Sequence, residues 1–266
     1  KNALLFLSLS LNLLYNSVAT SNTINEAQRY EEYIKMFWVG LMDGVGSIQV
    51  NHKSKKNLQF RLVIQLKYFE SNYRMLIQIA RVIGGNVRIT KNKENVIWVA
   101  FGYSDNKEAI IEIIKIFEQY PPLTTRKICQ LKFLIECLNH NNVDRYLAER
   151  DHKYDNQSLI FNAIFVVPFY FQAWLAGFVE AEGCFSFGPK SSPSFSIGQN
   201  NDLYLLEAIK SEFKITNKIL FRTKVFYILT AYRRETLLNI INYFDNYPLL
   251  GAKAVTLNEF QKKLGE

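Results

Sequence analysis

Leu175-Ala176-Gly177-Phe178-Val179-Glu180-Ala181-Glu182-Gly183 is the stretch on which the fold turns. It is apolar at most positions, carries a glycine inside the run, and closes on acid, small residue, acid, glycine. Extended to Ala173-Trp174 upstream and Cys184-Phe185 downstream, it lines up with Phe37-Trp38-Val39-Gly40-Leu41-Met42-Asp43-Gly44-Val45-Gly46-Ser47-Ile48. The two match at Trp, Gly, the acid and the final Gly once Trp38 is allowed one residue of offset. Gly40 and Gly177 would let two helices pack closely side by side, and Gly46 and Gly183 are expected to take the left-handed geometry that stops a helix.

The same order of elements is expected after each copy. The first is followed by an alternating run (Leu58 to Lys67), a helical stretch (Tyr73 to Ile83), Gly84-Gly85, short strands (Asn86 to Thr90, Val96 to Gly102), a helical stretch (Lys107 to Phe117) and Tyr120-Pro121-Pro122-Leu123-Thr124-Thr125-Arg126-Lys127. After the second come Ser194 to Gln199, a helix at Asp202 to Phe213, strands near Lys218 to Thr223 and Phe226 to Ala231, a helix from Glu235 to Phe244, and Tyr247-Pro248-Leu249-Leu250-Gly251-Ala252-Lys253. The chain is therefore a pseudo-dimer of one unit. In Leu58 to Lys67, Leu58, Phe60, Leu62, Ile64 and Leu66 fall on one face and Gln59, Arg61, Val63, Gln65 and Lys67 on the other, the period of a strand covered on one side. Its polar face, preceded by the basic turn His52-Lys53-Ser54-Lys55-Lys56-Asn57, suits base edges in a major groove with a phosphate-contacting tip, or simply a solvated outer face.

Composition agrees with a polyanionic partner. The 266 residues carry 32 Lys plus Arg against 24 Asp plus Glu, a net +8, with 48% hydrophobic residues, enough for a real core and against disorder. Cys129, Cys137 and Cys184 have no C-x-x-C spacing, which supports neither a disulfide framework nor a thiolate zinc site and fits a reducing interior. His52, His140 and His152 form no metal-binding cluster. Heavy use of Asn, Ile, Lys, Phe and Tyr reads as AT-rich codons, hence an organellar or otherwise AT-rich genome. The apolar run Ala3 to Leu14 falls short of the roughly 20 residues a spanning helix needs, and the start, lacking Met, reads as processed or truncated.

At this point the sequence resembles the LAGLIDADG homing endonucleases, in the single-chain, two-motif form encoded within organellar introns. The copy at Leu175 to Gly183 is a strong match; that at Gly40 to Gly46 is recognisable but altered. The resemblance covers roughly residues 30 to 266. It implies an α+β fold of two pseudo-symmetric αββαββα repeats, a saddle of antiparallel sheets with the motif helices at the central interface. The expected organisation is a tail (1–30), a first repeat (31–139), a polar linker (140–164) and a second repeat (165–266).

The family's eighth motif residue is an acid holding a divalent metal, usually Mg2+, beside the scissile phosphates. Glu182 matches it, whereas the first copy has Val45, which cannot ligate magnesium. Asp43 and Glu180 match the sixth position, which serves the helix interface. The family's basic residues match Lys127 and Lys253, and its polar residue at the end of the long strand matches Gln199, with Tyr68 in the first half. The resemblance thus implies a site-specific double-strand DNA endonuclease, impaired or reduced to nicking by Val45. The alternative is a group I intron RNA maturase that binds without cutting; a third reading makes Val45 an engineered or acquired inactivating change. Phosphate and base contacts are expected from Lys53, Lys55, Lys56, Gln59, Arg61, Gln65, Lys67 and Arg88 in the first half, and from Lys190, Lys218, Arg222, Lys224, Arg233 and Arg234 in the second. The partner is a long asymmetric DNA target bound by a monomer, with no membrane, in the mitochondrial matrix.

Overall fold

The computed structural model describes residues 25–160, 165–188 and 192–265. The first repeat runs α1 (25–44), β1 (Ser47–Lys53), β2 (Asn57–Lys67), α2 (Glu70–Ile83), β3 (Asn86–Ile89), β4 (Asn95–Tyr103), α3 (Glu108–Gln119) and α4 (Thr125–His140). A short helix α5 (Val143–Glu149) and a 3-10 turn (Gln157–Leu159) follow. The second repeat runs α6 (Phe171–Glu182), β5 (Cys184–Phe187), β6 (Pro193–Asn200), α7 (Leu203–Glu212), β7 (Leu220–Phe221), β8 (Phe226–Ala231), α8 (Arg234–Asn246) and α9 (Ala252–Gly265).

Each repeat builds one antiparallel sheet, ordered β1-β2-β4-β3 and β5-β6-β8-β7. Alternation decides which face is covered. Leu58, Phe60, Leu62 and Ile64 of β2 are buried, while Gln65 and Lys67 are exposed, so the apolar face meets the helices. Helix α2 answers with Met75, Leu76, Ile79 and Ile83 on one stripe. In the second sheet Phe195 and Ile197 of β6 and Leu229 and Ala231 of β8 do the same.

Four expectations need correction. The terminal glycines Gly46 and Gly183 are not left-handed: Gly183 has φ −70°, and the positive-φ glycines are Gly84 and Gly85, in the turn from α2 to β3. Gly46 and Gly183 are small for another reason, because a Cβ there would press on Met42 and on Val179, one turn back. Trp38 and Trp174 are not equivalent. Trp38 turns into its own repeat, its ring 4.8 Å from Phe117 and 5.7 Å from Trp98, whereas Trp174 reaches across to the other repeat. The polar segment is more than a linker over its described residues, since the Asn142 side chain caps α5 by accepting the Arg145 N–H, and the Tyr146 ring is buried 6.0 Å from those of Phe133 and His52. Finally, α1 already covers residues 25–30, assigned to the tail. Ala3 to Leu14 lies outside the described residues, and no described helix is long and apolar enough to cross a membrane.

Candidate active site

Helices α1 and α6 meet along glycine. A Cβ at Gly40 would collide with the Trp174 carbonyl and one at Gly177 with the Phe37 carbonyl, a reciprocal approach in which the two backbones touch. The exchange pairs Gly40 with Gly177, Phe37 with Trp174 and Leu41 with Phe178. Continued along both helices, it sets Asp43 opposite Glu180 and Val45 opposite Glu182.

The inner acids are sealed. Asp43 is 4% exposed, and its oxygens accept from the Leu123 N–H (2.7 Å), the Thr124 N–H (3.1 Å), the Thr124 hydroxyl (2.5 Å) and the Trp174 indole N–H (2.7 Å). Burial pushes its carboxyl up to about 6 against the pull of those donors and of Lys127. Glu180 is 5% exposed and accepts from the backbone N–H groups of Leu250, Gly251 and Lys253. Burial raises it as well, with those bonds opposing. Both acids tie a motif helix to the turn that starts α4 or α9, and their oxygens are engaged by buried donors, four on Asp43 and three on Glu180.

The outer positions differ. Glu182 ends α6 exposed, alongside Gly44 of α1, while Val45 is half-buried and packs on the core. A cavity of about 540 Å³ opens beside Glu182, lined also by Lys127, Gln199, Asp43 and Gly44. Lys127, placed by the first turn of α4, is 5% exposed. Burial and the Arg126 charge lower its ammonium, opposed by Asp43, Glu182 and Asp202. Burial raises the Glu182 carboxyl, opposed by Lys127 and Lys253. Three of the four residues assigned from sequence as catalytic thus line one cavity; Lys253 acts on Glu182 through its charge rather than by lining it. Gln199 lies within β6, three residues before the cap of α7, whereas Tyr68 directly precedes the cap of α2 and turns its hydroxyl toward Glu70.

Sequence reading missed several lining residues. Arg126, Tyr154 and Gln157 also border the cavity, the last two from the segment read as a bare linker. On the open face of the first sheet, cross-strand register puts Asn51 opposite Gln59 and Gln49 opposite Arg61. The alternation of β1 carried that signal. Lys53, Lys55 and Lys56 are exposed at the hairpin tip, where Ser54 and Lys55 have positive φ. Lys67 and Arg88 are exposed on β2 and β3, Lys67 over the Phe69 ring at 5.4 Å, and Gln59 donates to the Tyr103 hydroxyl. In the second half Lys218, Arg222 and Lys224 are exposed around β7. Arg233 and Arg234 sit at the start of α8 instead of on a strand, and Lys190 lies outside the described residues.

Among the described residues there is no group of three His, Cys, Asp or Glu that could hold a metal. The donor set at the cavity is one free carboxylate, Glu182, with the Gln199 amide nearby. It fits a hard cation that keeps most of its water or takes phosphate oxygens, and does not fit a cation caged by protein alone. The Val45 side offers no such donor.

The chain matches the family model described as LAGLIDADG endonuclease over residues 38–137 and 175–264. It is 44% identical to a probable intron-encoded endonuclease aI3 of Debaryomyces hansenii, across 91% of this chain and 40% of that relative's length. A probable intron-encoded endonuclease aI3 of Dictyostelium citrinum is also 44% identical, across 86% of this chain and 95% of its own. Among solved structures, the LAGLIDADG homing endonuclease I-GzeII in complex with its DNA target superposes with a TM-score of 0.68 at 19% identity, covering 87% of this chain and 89% of that one. The LAGLIDADG meganuclease I-AabMI, bound to uncleaved DNA, gives 0.65 at 20% identity, covering 87% and 90%. Two glycine-faced motif helices, each followed by its own antiparallel sheet, agree with these matches, and the chain belongs to the LAGLIDADG endonuclease family.

Proposed function

We propose that this chain is a site-specific DNA-binding endonuclease that hydrolyses one strand of its double-stranded target and so acts as a nickase. One observation carries the reading: Glu182, Lys127 and Gln199 share a single cavity, and the equivalent helix end in the other repeat carries Val45. Glu182 would hold a divalent cation, Mg2+ in our reading, which supplies charge neutralisation at the phosphate and lowers the pKa of a bound water. Lys127, kept close by burial, places a positive charge beside the same phosphate and stabilises the extra negative charge of the pentacovalent transition state. Gln199 orients the attacking water by hydrogen bonding. Lys253 adds a second positive charge near Glu182 and helps keep that carboxyl ionised.

The open sheet face supplies recognition. Gln59, Arg61, Gln65 and Arg88 are read as base-edge contacts, and Lys53, Lys55, Lys56, Lys67, Lys218, Arg222 and Lys224 as phosphate contacts. Because the two sheets display different side chains, the target is long and asymmetric and the binding unit is a monomer. We place the protein in the mitochondrial matrix, a reading supported by the composition bias and by a 26%-identical relative in Saccharomyces cerevisiae whose name calls it mitochondrial.

The test uses supercoiled plasmid carrying the intron-insertion sequence, with magnesium. Open circle is expected from the parent protein and linear DNA from Val45→Asp. Linear DNA from the parent refutes the one-strand reading. Unchanged supercoil with tight specific binding refutes nuclease activity and leaves the group I intron RNA reading, which a splicing assay decides.

A further inference from the structure

We infer that Asp202 is a positioning residue that holds the Gln199 side-chain amide with its carbonyl oxygen turned into the Glu182 cavity. The inference rests on the nuclease reading above and adds a residue that the motif does not contain.

Asp202 precedes α7 as its N-cap, yet its side chain makes no capping bond. It is 1% exposed and reaches across the two repeats. Its Oδ1 accepts the Thr125 hydroxyl at 2.6 Å; its Oδ2 accepts the Thr125 N–H at 3.3 Å and the Gln199 Nε2–H at 3.0 Å. Thr125 opens α4, two residues before Lys127, so one carboxylate fixes both the helix that carries Lys127 and the end of the strand that carries Gln199. Gln157 donates to the Thr125 Oγ1 at 2.9 Å, which commits the threonine proton to Asp202.

These bonds decide which way the amide faces. A backbone N–H only donates, and the Thr125 N–H points at Oδ2. In the ionised carboxylate that oxygen only accepts, and Gln199 meets it with nitrogen, as the 3.0 Å Nε2 contact has it. The other end of the amide is the carbonyl, directed into the cavity that Gln199 lines with Glu182. A carbonyl there accepts from the attacking water or ligates a hard cation, whereas an NH2 group would repel the cation and would donate to the lone pair with which the water attacks. Burial raises the Asp202 carboxyl, and the bonds from Thr125, Gln199 and Tyr204 counter it. In the first repeat Asn72 braces the corresponding elements instead, its Oδ1 accepting the Ala252 N–H at the start of α9 and its Nδ2 donating to the Lys67 carbonyl at the end of β2. The residue that precedes α2 is Phe69, which is exposed and has no carboxylate. The amide clamp lies only on the side that keeps its motif acid.

The experiment is single-turnover nicking at saturating DNA, with DNA affinity measured alongside. Asp202→Ala is expected to slow nicking about tenfold or more with affinity within twofold, and Asp202→Asn, which keeps an oxygen toward Gln199, to recover most of the rate. In a Gln199→Ala background Asp202→Ala should cost clearly less than in the parent, only the share that passes through Thr125 and Lys127 remaining. Loss of the same factor in that background, or no rescue by Asp202→Asn in a protein of unchanged melting temperature, overturns the inference. If the parent protein does not nick, the nuclease reading fails, and the clamp is tested separately by NMR. The Gln199 side-chain NH2 signals, identified by their absence in Gln199→Ala, should be protected from solvent exchange in the parent and lose protection in Asp202→Ala. Equal protection in both overturns it.

Discussion

The glycine seam between α1 and α6 sets a demanding expectation for Gly177→Ala. A Cβ there would overlap the Phe37 carbonyl oxygen and lie 2.8 Å from the Phe37 carbonyl carbon and 2.9 Å from the Leu41 nitrogen, against 3.4–4 Å for ordinary contact. All three obstacles are backbone, so no side chain can swing away, and the helices must part by about 1 Å. A gap of that size forfeits a quarter to a half of each dispersion contact worth about 0.1–0.2 kcal/mol, and a large buried side chain makes about 40–60 of them. The loss is roughly 2–3 kcal/mol per side chain, and Trp174 and Phe178 both lie on the seam, giving roughly 5 kcal/mol. Alanine recovers about 1 kcal/mol of helix propensity, so the net is about 4 kcal/mol. For a chain near this size each kcal/mol lowers the melting temperature by about 2–4 °C, so calorimetry should show a drop of about 8–16 °C. Gly265→Ala in α9, where a Cβ meets nothing within 4 Å, is the control and should melt like the parent. Adding Gly40→Ala to Gly177→Ala should cost less than Gly40→Ala alone, because the seam is already open. A Gly177→Ala protein melting within about 2 °C of the parent would refute the seam.

Stability should fall as pH rises from about 4 to 7. Asp43 has a folded value of about 6 against 3.8 for the free side chain, so its protonated form is favoured in the fold; the contribution is complete below 3.8 and lost as pH passes 6, about 3 kcal/mol by linkage. Glu180 and Asp202 are raised in the same direction, and a melting temperature that climbs steadily from pH 4 to 7 would contradict this sum. Binding to the target duplex should weaken steeply with salt. Lys55→Ala with Lys56→Ala should flatten the slope of log affinity against log salt by about 1.8 if both tip residues touch phosphate, and an unchanged slope removes them from the interface. Trypsin should cut first in the exposed turn around Arg150 and Lys153. The halves should still co-elute on gel filtration, because Asp43 bonds Trp174 and Asp202 bonds Thr125 across the repeats; separated halves would show those bonds to be insufficient.

Whatever repeats or alternates could be read from sequence. The period of two in β2 gave its covered face and the duplicated motif gave the repeat, since each is fixed by local spacing, while the paired sheets and the central helix pair followed from the family resemblance that the motif carries. What depends on where two distant segments meet could not. Trp38 and Trp174 match as letters, but helix packing puts Phe37, not Trp38, in the place of Trp174. The glycines after the motifs looked like helix stops and proved to be a matter of room against the preceding turn. Asp202 entered the sequence reading only as the first residue of a helix; the docking of Thr125 against it reveals its use. Helix α5 is too short for a hydrophobic period and is held by one tyrosine and one asparagine cap.

The sealed and open acids also explain how the two motifs can diverge while the fold stays symmetric. Asp43 and Glu180 each accept three or four buried donors, and removing either leaves those donors orphaned, at about 1–3 kcal/mol for each unsatisfied group. Gly40 and Gly177 are held by backbone collision. These positions answer to packing, so both copies keep an acid and a glycine there. Glu182 and Val45 answer to nothing of the kind. Glu182 is exposed and accepts no hydrogen bond among the described residues, while Val45 rests half-buried on the core. Replacing an acid by valine at that depth removes a crowded carboxylate and adds apolar contact, so the fold does not resist the change. On the nickase proposal, the number of strands cut would be set by a residue on which folding places no demand.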